Sequence, residues 1–110
     1  MKDKFWLDYS YHNVPEHTRE SLENYLFRGW QPGSFLAYVL QNNLAGACGS
    51  CDHVNREALI DIVNFIEHRV PSGAWGSPKA VRDWLADVDS IRTNYATRIE
   101  QKVMWESLST

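Results

Sequence analysis

Residues 52–69 read DHVNREALIDIVNFIEHR, and this stretch decides the fold class. Val54, Leu59, Ile62, Val63 and Ile66 form an apolar set on one helical face, which Ile60 and Phe65 widen. Asp52 stands in front of the set as an N-cap, and Val70-Pro71-Ser72-Gly73 closes it. A helix with so broad an apolar face needs other helices to cover it, and the neighbouring sequence supplies them.

Upstream, a second helix starts after Pro32-Gly33, with Ser34 as its N-cap, and runs through Phe35, Leu36, Val39, Leu40 and Leu44. Gly46 and Gly49 weaken its end and predict a bend or stop before Cys51. Before it, Asn13-Val14-Pro15-Glu16 opens a helix that Gly29 ends, with Leu22, Tyr25 and Leu26 on its inner face. Downstream, Ser77-Pro78 is a cap followed by proline at the first helical position. From there Val81, Trp84, Leu85, Val88, Ile91, Tyr95, Ile99 and Val103 recur every three or four residues. One helix of roughly 30 residues fits, about 45 Å long. That exceeds the diameter of a small domain, so its far end is expected either to pack on a second subunit or to break near Asp89-Ser90.

The expected architecture is all-α, with about four helices, an aromatic N-terminal arm and a long C-terminal helix. The second and third helices form the central hairpin and the fourth lies across them. One domain spans 1–110: an arm over 1–13 carrying Phe5, Trp6, Tyr9 and Tyr11, a core over 14–85, and a helical extension over 86–110. A chain of 110 residues, 44% apolar and 23% charged, is the size and composition of a single folded domain rather than a disordered chain. The formal net charge of −3 makes nucleic acid an unlikely partner. No apolar run suits a membrane span or secretory leader, so the expected compartment is the cytoplasm.

From Val14 to about Leu85 the chain resembles a family of small uncharacterised proteins encoded by tailed bacteriophages and prophages. The resemblance rests on Pro15-Glu16-His17-Thr18-Arg19-Glu20-Ser21-Leu22, Gly29-Trp30-Gln31-Pro32-Gly33-Ser34-Phe35-Leu36, Asn42-Asn43-Leu44, Asp52-His53-Val54-Asn55 and Pro71-Ser72-Gly73-Ala74-Trp75-Gly76-Ser77-Pro78. It implies a phage or prophage origin and action inside the infected or lysogenic bacterium, with no assigned reaction. By analogy of context, small phage proteins without an enzymatic motif act on host or defence machinery.

Two helix entrances are the leading candidate site. Trp30-Gln31-Pro32-Gly33-Ser34 and Trp75-Gly76-Ser77-Pro78-Lys79 each combine an indole, a glycine and a serine cap. Free amides at a helix start favour an anion, an indole can stack on a base, and Arg69, Lys79 and Arg82 could neutralise a phosphate. The same residues also serve as ordinary caps and staples. Asn42, Asp52, His53 and Asn55 make a polar turn cluster that either caps helix ends or lines a pocket. Cys48-Gly49-Ser50-Cys51 with His53 has the spacing of half a zinc site but lacks a second ligand pair, so two thiols at a helix junction are the simpler reading. No motif asks for a cofactor, and none is expected. P-loop, dinucleotide-binding and hydrolase signatures are all missing from the sequence.

The sequence therefore suggests a non-enzymatic accessory protein that binds either a small anionic, nucleotide-like ligand or a host protein. One alternative is an assembly protein that forms a homo-oligomer through the stripe from Val88 to Val103. The other is a small metal-dependent or His/Asp-dependent enzyme using Asp52 and His53.

Overall fold

The computed structural model of the chain describes residues 13–99, which are helical with no β-strand among them. Helix α1 spans Glu16–Glu23 and continues into a wider π-type turn, Asn24–Arg28. Gly29, at φ 70°, ends it in the left-handed conformation that glycine adopts without a Cβ clash. Start and stop both fall where Pro15 and Gly29 place them.

The second expected helix is two. Helix α2 covers Ser34–Leu40 and α3 covers Leu44–Ser50. Between them Asn42 takes φ 61°, which asparagine tolerates better than most residues. The Asn43 side chain then accepts the Gly46 N–H at 2.9 Å and caps α3. Two consecutive asparagines offered the backbone a turn, and the apolar spacing through Leu44 hid it. Leu44, expected in the core, is 61% exposed. Ser34 opens α2, but no side chain caps that helix.

The deciding stretch also divides. Asp52 caps α4, His53–Glu57, by accepting the Asn55 N–H at 2.7 Å. A turn at Ala58 separates it from α5, Leu59–Arg69. Ile62, Phe65 and Ile66 are buried on α5, whereas Val54 and Ile60 face solvent. The turn resets the helical phase and leaves Val54 off the common face. A 3₁₀ turn, Ser72–Ala74, leads to α6, Pro78–Leu85, where Ser77 Oγ accepts the Ala80 N–H at 3.1 Å. That cap and the N1 proline stand as the sequence places them.

The long C-terminal helix breaks near Asp89-Ser90, the alternative to a continuous helix packed on a second subunit. Asp87, Asp89 and Ser90 all take positive φ, and residues 88–90 form a 3₁₀ turn before α7 resumes over 91–99. The Asp87 carboxylate holds the break: one oxygen accepts the amides of Arg92 and Thr93 at 2.9 and 3.0 Å, and the other accepts the Thr93 hydroxyl. The chain thus folds back, and Tyr95 and Ile99 enter the core instead of projecting from it. With the helix broken, the length argument for self-association falls away. The aromatic arm and Val103 lie outside the described residues.

Seven α-helices among the described residues, rather than about four, surround one core. The closest packing is not the expected hairpin but α2 against α3, where Gly46 meets the Tyr38 ring. Trp84, Tyr25 and Phe65 are the largest wholly buried side chains. Trp84 packs edge-on to Tyr95 with ring centroids 5.5 Å apart, and Tyr95 stacks on Phe27 at 5.8 Å.

Candidate functional site

Among the described residues, two grooves hold candidate ligand-site or turn-cluster residues. The first, about 260 Å³, lies where α1 meets the starts of α2 and α4. His17, Thr18 and Ser21 line one side, Gly33 to Leu36 another, and Ser50, Asp52 and Asn55 the third. Thr18 and Asn55 are buried, and the Thr18 hydroxyl donates to Asn55 Oδ1 at 2.6 Å. His17 Nε2 lies 3.2 Å from Asn55 Nδ2 and 3.4 Å from Asp52 Oδ2. The ring and the carboxylate are each 57% exposed at the groove mouth.

Asp52 and Asn55, two members of the polar turn cluster, are thus brought together. The other two are elsewhere. His53 points away and pairs with Glu57 at 3.1 Å, so the Asp52–His53 dyad of the enzyme alternative is not formed. Asn42 lines the second groove. His17 and Thr18 were missed as site residues. The available signal was Thr18 itself, a polar side chain on the stripe that continues through Val14 and Leu22.

The second groove, about 130 Å³, is apolar. Val39 and Ala47 line it from α2 and α3, Val63 and Ile66 from α5, and Trp75 from the loop before α6. Leu44 stands at its rim with Asn42 and Asn43. Ile60, 76% exposed, lies one turn before Val63 on α5 and extends the apolar surface.

The two helix entrances do not form one cradle. Gly33 and Ser34 line the first groove, and Trp75 lines the second. Trp30 is more than half exposed, with the Arg28 guanidinium 5.2 Å from its ring centroid. Two donors at the second entrance are already engaged: the Gly76 N–H donates to the Leu40 carbonyl at 2.7 Å, and the Ala80 N–H donates to Ser77 Oγ. Lys79 is paired with Asp83 at 2.7 Å. Arg69 also has a partner, while Arg82 is exposed.

Cys48 and Cys51 are free thiols, and Cys51 Sγ donates to the Cys48 carbonyl at 3.3 Å. Among the described residues no three His, Cys, Asp or Glu side chains are grouped to hold a metal ion, so Cys48, Cys51 and His53 do not assemble the half-site their spacing suggested. No described helix is long and apolar enough to cross a membrane. Neither a protein-family model, nor a curated protein, nor a solved structure matches the chain.

Proposed function

We propose that the chain is a non-enzymatic phage or prophage accessory protein that acts in the bacterial cytoplasm by binding and blocking a host protein. The observation that carries this reading is the apolar groove at Trp75, with Leu44 and Ile60 exposed beside it. Leaving two large aliphatic side chains in water forgoes about 1.5–3 kcal/mol each of burial free energy. A partner segment that offers an apolar side chain to the groove recovers part of it, while the Asn42 and Asn43 amides at the rim can pair with the partner's main chain.

The small anionic ligand is the weaker branch. Its donors at Gly76 and Ala80 are engaged, Lys79 is neutralised by Asp83, and the groove that holds Gly33 and Ser34 carries the Asp52 carboxylate at its mouth. A carboxylate there repels phosphate.

The test is affinity capture from bacterial lysate with wild-type protein and with a Leu44→Asp, Ile60→Asp double variant. Both sites are exposed, so the fold is preserved. The reading expects one host protein retained in stoichiometric amount by the wild type and lost by the variant. Retention of the same proteins by both, or of none by either, contradicts it. Calorimetry with linear and cyclic nucleotides is expected to give no heat.

A further inference from the structure

Cys48 and Cys51 are the two thiols of the chain, and three features place them in a working relation. The first is separation. Gly49 and Ser50 belong to α3, so their helical dihedrals set the Cα atoms of Cys48 and Cys51 about 5 Å apart. A disulfide needs about 4.4–6.8 Å. The second is direction. Positions three apart lie on one helical face, and Cys51 Sγ reaches back to the Cys48 carbonyl at 3.3 Å. The Cys51 sulfur is thus held close to the residue it would bond. The third is slack. Helix α3 ends at Ser50, Cys51 is already extended at ψ 144°, and a Cβ added at Gly49 would meet nothing. The exposed backbone between the thiols can adjust without disturbing a packed neighbour.

Exposure divides the roles. Cys48 is open to solvent, whereas Cys51 is partly buried and packs against the core. A reagent in solution meets Cys48 first, and Cys51 is placed to complete the reaction. We infer that Cys48 and Cys51 form a reversible thiol–disulfide exchange site whose substrates are low-molecular-weight disulfides, with Cys48 the attacking thiol and Cys51 the resolving one.

The exchange balances without any further reagent. The Cys48 thiolate attacks one sulfur of a small disulfide, RSSR, and breaks its S–S bond. The first RS⁻ leaves and takes up the proton lost by Cys48. Cys51 then attacks Cys48 Sγ in the mixed disulfide and expels the second RS⁻, which takes up the Cys51 proton. Two protein thiols are oxidised to one disulfide, and RSSR is reduced to two RSH. The new bond closes a loop of only four residues, 48–51, at an exposed helix end. So short a loop constrains the unfolded chain little, and an exposed disulfide is readily reduced by the reverse exchange. The reaction is independent of the binding proposed at the apolar groove.

The experiment incubates the reduced full-length protein with oxidised and reduced glutathione at varied ratios, traps free thiols by alkylation and reads the intact mass. The expected result is a single chain lighter by two hydrogens and with no alkylatable thiol, restored to two thiols by excess dithiothreitol. Cys48→Ser and Cys51→Ser should each stop at a mixed disulfide with one glutathione, formed roughly tenfold faster by the variant that keeps Cys48. Circular dichroism of both variants should match the wild type, since serine differs from cysteine by one atom. The inference is overturned by a wild type that stays reduced or stops at mixed disulfides, or by a disulfide that joins two chains. It is also overturned if the variant that keeps Cys51 reacts as fast as the one that keeps Cys48, or faster.

Discussion

The Trp84 indole N–H donates to the carbonyl of Tyr25 across 3.2 Å and ties α6 to the widened turn that ends α1. That carbonyl also accepts the Gly29 N–H, so the π-type turn serves the core contact and the helix stop together. The Tyr25 hydroxyl donates in turn to the Ala74 carbonyl at 2.7 Å, which fixes the loop carrying Trp75. Burial pushes the Tyr25 hydroxyl's pKa far above its ordinary value, so it remains a donor at any working pH.

Two buried tyrosines should therefore respond oppositely to loss of the hydroxyl. Tyr25→Phe strips the buried Ala74 carbonyl of its partner and should cost about 1–3 kcal/mol. Tyr95 Oη is buried and has no hydrogen-bond partner among the described residues, and burial pushes its pKa up to about 12. Tyr95→Phe removes an unsatisfied group and should leave stability unchanged or raise it by about 1 kcal/mol. Urea denaturation of both variants reads the two signs; a substantial loss for Tyr95→Phe would show that its hydroxyl is satisfied.

The α2–α3 elbow makes a similar paired prediction with glycine. A Cβ at Gly46 would stand 2.7 Å from the Tyr38 ring, close to the ring's attachment, where the side chain has little room to yield. Gly46→Ala should cost about 1–3 kcal/mol through overpacking, more than the gain in helix propensity. Gly49 lies in the same helix with open space around its would-be Cβ. Gly49→Ala should stabilise by about 0.5–1 kcal/mol. Equal effects in thermal unfolding would refute the packing described for the elbow.

Asp87 gives a pH signature. The hydroxyl and amide of Thr93, with Arg92, hold its carboxyl below the ordinary value of 3.8. In acid the unfolded chain therefore binds a proton more readily than the folded one. The contribution of Asp87 is fully present above the ordinary carboxylate value and is lost as pH falls through the lower folded value. Asp87→Asn keeps a residue tolerant of positive φ but removes the charge. Its stability deficit should be greatest at neutral pH and shrink on acidification; a deficit independent of pH would contradict the assignment.

Much of this arrangement can be read from punctuation. Pro15, Gly29, Asp52, Ser77 and Pro78 act locally, through caps and fixed dihedrals, so each works as its type predicts. The breaks at Asn42-Asn43, Ala58 and Asp87 are less legible, because an unbroken apolar spacing runs across them. What overrides the spacing is side-chain capture of backbone amides by Asn43 and Asp87, a choice decided by tertiary packing. The candidate site was half visible. Asp52 and Asn55 declare themselves beside a helix start, while His17 reaches them only because α1 folds over α4, a relation without a local signal. The paired Trp30 and Trp75 entrances looked alike in sequence but open on different surroundings, Gly33 and Ser34 on the His17 groove and Trp75 on the apolar one.

The most direct test of the binding proposal compares the two grooves on the partner recovered by capture. Its affinity is measured calorimetrically for wild type, for Ile60→Asp and Leu44→Asp at the Trp75 groove, and for Ser21→Ala and Ser34→Ala at the His17 groove. The account predicts a loss of at least tenfold, about 1.4 kcal/mol, for each of the first two and less than twofold for the others. Full affinity in Ile60→Asp and Leu44→Asp, with loss in the serine variants, would place binding on the wrong side of the molecule and contradict the account.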